Sequence, residues 1–247
     1  MTQAKNEYDD IAEAYRDSKQ LSFRKYLEEY TLFEMLGKVE GRRVLDLACG
    51  EGFYTRKIKQ AGASEVTGID ISAEMIRLAE AEERERPLGC KYLNRDVAEL
   101  EIAESVDVVV AMYLLNYAKT REELLRFCQI SYNALHSGGR FVGVNDNVRN
   151  PPKGTVSFAK YGFKKECASP PAEGDVILYK LVNKDGQRFE FKNFYLAPET
   201  YQWAFQTAGF SDFEWVDLAL APTQQGNPLW NEFLSNPPLT GLIASKR

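Results

Sequence analysis

The stretch that most restricts how this 247-residue chain can fold is Val44-Leu45-Asp46-Leu47-Ala48-Cys49-Gly50-Glu51-Gly52-Phe53. An apolar run containing an acid opens through two close glycines into a helical pattern over residues 53–63. A short apolar run bounded by such a turn reads as a buried parallel strand. Glycine in the turn lets the backbone approach a ligand that a Cβ would repel. The helix start that follows presents unpaired N–H groups and the positive end of the helix dipole. The turn is therefore suited to a nucleotide-like ligand with a negatively charged end.

Two ligand chemistries share this layout. The dinucleotide fingerprint G-x-G-x-x-G needs a third small residue for close packing of helix on strand. Thr55 stands at that place, and Asp46 lies inside the motif, where a carboxylate opposes a pyrophosphate. The same carboxylate suits a ligand carrying an ammonium or sulfonium group. A second run, Val66-Thr67-Gly68-Ile69-Asp70, ends in an acid 20 residues beyond Gly50. An acid at the end of the second strand of a doubly wound sheet accepts hydrogen bonds from ribose hydroxyls. A third run, Tyr92-Leu93-Asn94-Arg95-Asp96-Val97, closes with Asp96 placed to meet an adenine amino group. These three acids, in order, favour S-adenosylmethionine over a dinucleotide.

With those residues in view, the sequence resembles the class I S-adenosylmethionine-dependent methyltransferases. Residues 44–55, 68–72, 94–97, 107–116 and Ser137-Gly138-Gly139-Arg140-Phe141 follow that family's motifs in order, over at least residues 40–146. By matching position, the resemblance implies cofactor contacts from Ala48, Gly50, Asp70, Ile71, Asp96 and Val97, and from backbone near Met112. Asp46 and Met75 complete the expected core set. In this family, helices ahead of the first strand cap the cofactor pocket, which implies contacts from Tyr15 and Arg24 to the methionine part. A guanidinium binds a carboxylate bidentately, so Arg24 is expected on the methionine carboxylate.

Periodicity supplies the surrounding elements. Tyr8, Ile11, Ala12 and Tyr15 form an apolar stripe, and residues 21–36 carry a second one through Phe23, Tyr26, Leu27, Tyr30 and Phe33. Strands are expected over 43–47, 65–69, 90–94, 107–112 and 140–145, and helices over 53–63, 73–84 and 121–136. Ser72 reads as a helix N-cap, and His136-Ser137-Gly138-Gly139 as a glycine-capped helix end. After Asn145 the rhythm breaks. Asn150-Pro151-Pro152 opens a loop, and 176–181 with 187–196 read as a hairpin through Asn183-Lys184-Asp185-Gly186. A helix over 198–208 and strands over 212–218 and 239–245 close the chain.

The expected fold is α/β: a doubly wound, Rossmann-like, seven-stranded and mostly parallel sheet with an N-terminal helical cap and a β-hairpin insertion. The whole of 1–247 is expected to be one domain. It comprises a helical cap (1–40), a cofactor-binding core (41–146), a hairpin insertion too short for its own core that could serve as a lid (150–196), and closing elements (197–247).

Tyr8-Asp9-x-Ile11-Ala12, residues 111–118, Phe213-Glu214-Trp215, Phe233-Leu234, Pro237-Pro238 and Gly241-Leu242 are similar to small-molecule methyltransferases of natural-product pathways, including the toxoflavin-pathway N-methyltransferase type. Methyl transfer from a sulfonium is a displacement that needs an aligned nucleophile and exclusion of water. A neutral amine needs no catalytic base, whereas an alcohol usually does. The only histidine, His136, falls at the expected helix end, away from the site. This favours an amine acceptor, or an acid that is already ionised. Tyr8, Asn116, Tyr117, Asn145 and Tyr195 are the expected positioning residues. Tyr113 and Asp146 are further candidates that fit core packing and turn capping equally well. O-methylation of a small hydroxy or carboxylic acid, and cofactor binding without turnover, stay open as alternatives.

Charge and composition exclude other classes. A net charge of −5 opposes unaided binding to a nucleic-acid backbone. The Asp/Asn-Pro-Pro-Tyr/Phe motif of nucleic-acid amino methyltransferases is replaced by Ala111-Met112-Tyr113-Leu114-Leu115-Asn116. Cys49, Cys90, Cys128 and Cys167 lack zinc spacing, and no acid directly follows the fourth strand, so no metal is expected. With no apolar run of about 18 residues and a polar amino terminus, the chain is expected off the membrane and in the cytoplasm, as a monomer or homodimer.

Overall fold

The computed structural model describes residues 2–100, 105–152, 154–183 and 185–247, with the side chains of residues 2–7 outside that description. Helix α1 (Thr2–Ser18) leads through a turn into a π-helical segment over Arg24–Glu29, which continues as α2 (Tyr30–Leu36). The single amphipathic helix expected over 21–36 is therefore wound in two ways. The wider π turn rotates Arg24 and Glu28 inward, where both are buried.

Strand β1 (Arg43–Leu47) is followed by α3 (Phe53–Gln60), β2 (Glu65–Asp70), α4 (Ala73–Glu85), β3 (Lys91–Asn94) and β4 (Val106–Met112). Helix α5 (Arg121–Ala134) then leads into β5 (Leu135–Asp146). Parallel strands need crossovers, and the helices between them supply these. Ser72 does cap α4, its hydroxyl accepting from Met75 N–H at 3.1 Å. The glycine-capped end expected at 136–139 is not formed. Helix α5 stops at Ala134, because Lys246 Nζ donates to the carbonyls of Tyr132 (2.9 Å) and Leu135 (2.7 Å) and satisfies the helix end. Leu135 is already extended, and Gly138 at φ 86° turns the start of β5 instead.

Residues 150–196 hold more than a hairpin. Strands β6 (Thr155–Phe158), β7 (Phe163–Glu166), β8 (Val176–Val182) and β9 (Arg188–Phe194) form an antiparallel four-stranded sheet in sequence order. The two extra strands are short, and they hold because β8 offers β7 a paired edge from Phe163↔Leu181 to Glu166↔Leu178. The expected β8–β9 turn is anchored by Asn183, whose Oδ1 accepts from the N–H groups of Asp185 (3.1 Å) and Gln187 (2.9 Å); Lys184 lies outside the described residues. Helix α6 (Pro198–Ala208), β10 (Asp212–Val216), α7 (Asn231–Ser235) and β11 (Leu239–Ser245) complete the chain.

Among the described residues, seven strands form the main sheet in the order β10-β11-β5-β4-β1-β2-β3. Strands β1 to β5 are parallel, and β11 runs antiparallel to both neighbours. The strand order reverses between β1 and β4, so the crevice beyond their carboxyl ends is the expected ligand position. The second sheet roofs this crevice. Its Phe191 meets the rings of Tyr8 (5.9 Å) and Tyr15 (5.8 Å) from α1, and its buried face merges with the core beneath.

Candidate functional site

The chain turns sharply where β1 ends. Ala48 and Gly50 both stand at φ 56°, and Gly52 at φ 78° starts α3. A left-handed conformation is easy for glycine and costly for alanine, so Ala48 holds backbone strain at this turn. The turn is fixed from β2. Asp70 Oδ2 accepts from Gly50 N–H at 2.8 Å, while Oδ1 accepts from Ser72 N–H at 2.9 Å. Burial raises the Asp70 carboxyl to about 6, against the opposing effect of those two N–H groups. A carboxylate has roughly four lone-pair sites, so Asp70 keeps acceptor capacity for a ligand. Asp96 spends Oδ1 on Ala98 N–H at 2.8 Å.

Above this turn lies a cavity of about 350 Å³, within the range of about 300–1,000 Å³ usual for small-molecule sites. Tyr15, Ala48, Gly50, Asp70, Ile71 and Met75 line it, as do Asp96, Val97 and Met112. Two expected cofactor residues do not. Asp46 is 1% exposed and faces α3, its Oδ2 accepting from Thr55 Oγ1 at 2.6 Å, because side chains alternate faces along β1. Its Oδ1 has no partner among the described residues, and burial raises its carboxyl to about 7. Arg24 is turned to Glu28, donating from Nη1 at 3.2 and 3.1 Å, because a buried guanidinium requires a buried counter-charge.

The expected positioning residues divide similarly. Tyr8 and Tyr117 line the cavity, and their hydroxyls hydrogen-bond to each other. Asn116, Asn145 and Tyr195 do not line it. Asn116 is buried and accepts from Asp146 N–H at 3.3 Å, and Asn145 donates to the Tyr201 hydroxyl at 3.4 Å. Tyr195 pairs through its backbone with Gly174 and Asp175. These three brace the loops that carry the wall.

Other wall residues carry no motif. Leu114, Phe127 and Glu123 come from beyond β4, and Val176, Lys192 and Phe194 from the second sheet. Glu28 accepts from Arg24, from Tyr54 (2.5 Å) and from Tyr113, which stands at φ 68° directly after β4. Burial would push the Glu28 carboxyl up, but Arg24 holds it below its ordinary value. Asp146 accepts from Lys165 Nζ (3.0 Å), Asn193 Nδ2 (3.3 Å) and the Tyr179 hydroxyl, tying the roof to β5. The one signal for Lys165 was its spacing of two from Phe163, which puts both on the buried face of β7. His136 lies elsewhere, with Nε2 3.0 Å from Asp107 Oδ1. No group of three His, Cys, Asp or Glu among the described residues is arranged to hold a metal.

A seven-stranded sheet with this reversal and this acid-lined crevice defines the class of Rossmann-like methyltransferase folds. Residues 44–139 match the family model described as a methyltransferase domain. The ubiquinone biosynthesis O-methyltransferase of Bordetella avium is 34% identical over 155 residues, which span 55% of this chain and 62% of that relative. The chain thus spans about three-fifths of the length of the curated relatives it matches. The CcbJ methyltransferase of Streptomyces caelestis superposes with a TM-score of 0.69 at 16% identity, covering 98% of this chain and 97% of the other. An S-adenosylmethionine-dependent methyltransferase of Mesorhizobium loti superposes with a TM-score of 0.65 at 21% identity, covering 88% and 96%. Residues 44–139 thus match a methyltransferase domain, and the fold as a whole is one shared with S-adenosylmethionine-dependent methyltransferases. No described helix is long and apolar enough to cross a membrane.

Proposed function

We propose that this protein transfers a methyl group from S-adenosylmethionine to a small molecule, at an amine nitrogen. The observation that carries this reading is the two-part wall of the cavity. One part holds the glycine turn with Asp70 and Asp96. The other brings Tyr8, Tyr117, Phe127, Phe194 and Glu123 to the same space. The first part fits the cofactor: Asp70 and Asp96 suit a ribose and an adenine amino group. The second part suits the acceptor, since aromatic faces and a carboxylate favour an amine that is cationic or electron-poor.

When bound, the cofactor supplies an electrophilic methyl on a good leaving group. The chain's own work is then to align the acceptor and exclude water. The roof formed by β8 and β9 and the Tyr8–Tyr117 pair do both. The natural-product N-methyltransferases that the sequence resembles support the amine reading. A second reading, O-methylation of a small hydroxy acid, is supported by the activity in the names of the Bordetella relatives. Incubation with S-adenosylmethionine carrying a ¹³C methyl and a panel of amines, phenols and carboxylic acids separates them. A product methyl carbon bonded to nitrogen supports the first reading and one bonded to oxygen the second, while S-adenosylmethionine binding without turnover across the panel defeats both.

A further inference from the structure

Among the described residues, most charges beneath the cavity are paired. Arg24 is only 3% exposed and donates from Nη1 to Glu28, which also takes the hydroxyls of Tyr54 and Tyr113, while the Arg24 Nε has no partner among the described residues. Breaking such a pair to serve a ligand would leave an uncompensated buried charge. Glu51 is likewise held by Arg56 at 3.0 Å, and Asp46 by the Thr55 hydroxyl.

Two lysines near the cavity are in no ion pair among the described residues: Lys119 in the wall, over the Phe194 ring, and Lys19, which stands behind Tyr15 rather than in the wall itself. Lys19 sits in the turn that closes α1, its N–H donating to Arg16 O at 3.0 Å. Its ammonium lies 5.1 Å from the ring centre of Tyr15 and 4.9 Å from that of Tyr54. Tyr15 lines the cavity, and Tyr54 belongs to α3, the helix that starts from the glycine turn. Among the described residues no carboxylate lies within salt-bridge distance of this ammonium. Glu28, Asp46 and Glu51 all feel its charge from further away. An ammonium between two aromatic faces is held in place by their quadrupoles without being neutralised. Such a cation is pre-placed for an incoming anion.

We infer that Lys19, rather than Arg24, binds the carboxylate of the methionine part of S-adenosylmethionine. This rests on the methyltransferase reading above. Arg24 is left with a bracing role. Together with Glu28 it supports Tyr15, whose ring centre lies 5.4 Å from the guanidinium carbon, and Tyr113.

The test is calorimetric and needs no acceptor. S-adenosylhomocysteine carries the amino-acid part, and 5′-methylthioadenosine has the same nucleoside and thioether without it. Lys19→Met should weaken S-adenosylhomocysteine by about tenfold to a hundredfold, the range of one charge-assisted hydrogen bond, and leave 5′-methylthioadenosine unchanged. Lys19→Arg should recover most of the loss, and the exposed control Lys25→Met should lose nothing. Equal loss for both ligands would show a structural role for Lys19 and overturn the inference, as would no loss for either. A wild-type chain that binds neither ligand would instead overturn the methyltransferase reading itself.

Discussion

Asp46→Asn should stabilise the folded chain above neutral pH and leave its hold on the cofactor nearly unchanged. Asp46 is almost completely buried, has one oxygen on Thr55 and the other without a partner among the described residues, and is raised from 3.8 to about 7 by burial. At about 1.4 kcal/mol for each tenfold change in proton affinity, holding the charge at pH 8 costs about 4 kcal/mol. The folded pKa lies above the unfolded one, so the folded state binds the proton more tightly. Stability is then fullest below about pH 4, falls as pH rises toward 7, and levels off beyond. Asparagine removes the charge and can still accept from Thr55, but its amide N–H₂ is left unpaired at a cost of about 1–3 kcal/mol. The net gain at pH 8 is therefore about 2 kcal/mol. The change in that gain between pH 5 and pH 8, about 3 kcal/mol, does not depend on the amide penalty. Urea unfolding of both proteins at the two pH values measures it, and S-adenosylhomocysteine titration should show affinity nearly unchanged, since the Asp46 side chain does not line the cavity. An equal stability difference at pH 5 and pH 8 would refute the reasoning.

Three further outcomes follow from the same geometry. On the proposed cofactor reading, S-adenosylmethionine binding to the wild type should weaken as pH falls through about 6, because an ionised Asp70 is the stronger acceptor for a ribose hydroxyl, and Asp70→Asn should flatten that profile in calorimetry. Tyr117→Phe breaks the hydroxyl pair with Tyr8, so acceptor KM should rise several-fold while S-adenosylhomocysteine affinity holds; a matching loss of cofactor affinity would place Tyr117 on the cofactor instead. Lys165→Met leaves Asp146 charged and buried, and should cost about 3–5 kcal/mol in thermal unfolding, with Asp146→Asn in that background recovering part of it.

The alternation of apolar runs, the glycine turn and the acids at strand ends are local patterns, and local patterns determine local conformation. That is why β1 to β5, the crevice, Asp70 and Asp96 were legible from the amino-acid order alone. Strands β6 and β7 were not, because a four-residue strand is held by the edge it pairs with rather than by its own propensity. Asp46 reads as a ligand residue because it sits inside the motif, yet strand alternation and Thr55, nine residues on, turn it away from the cavity. Arg24 reads as a carboxylate anchor, but its partner is chosen by a π-helical turn and by Tyr54 and Tyr113 from two other elements, which hold Glu28 in place to meet it. The order of residues determined which strands form and where a nucleotide-like ligand can approach the backbone. Which charges face that ligand was decided only by tertiary packing, since a buried charge takes the nearest compensating partner in space, whatever its distance along the chain.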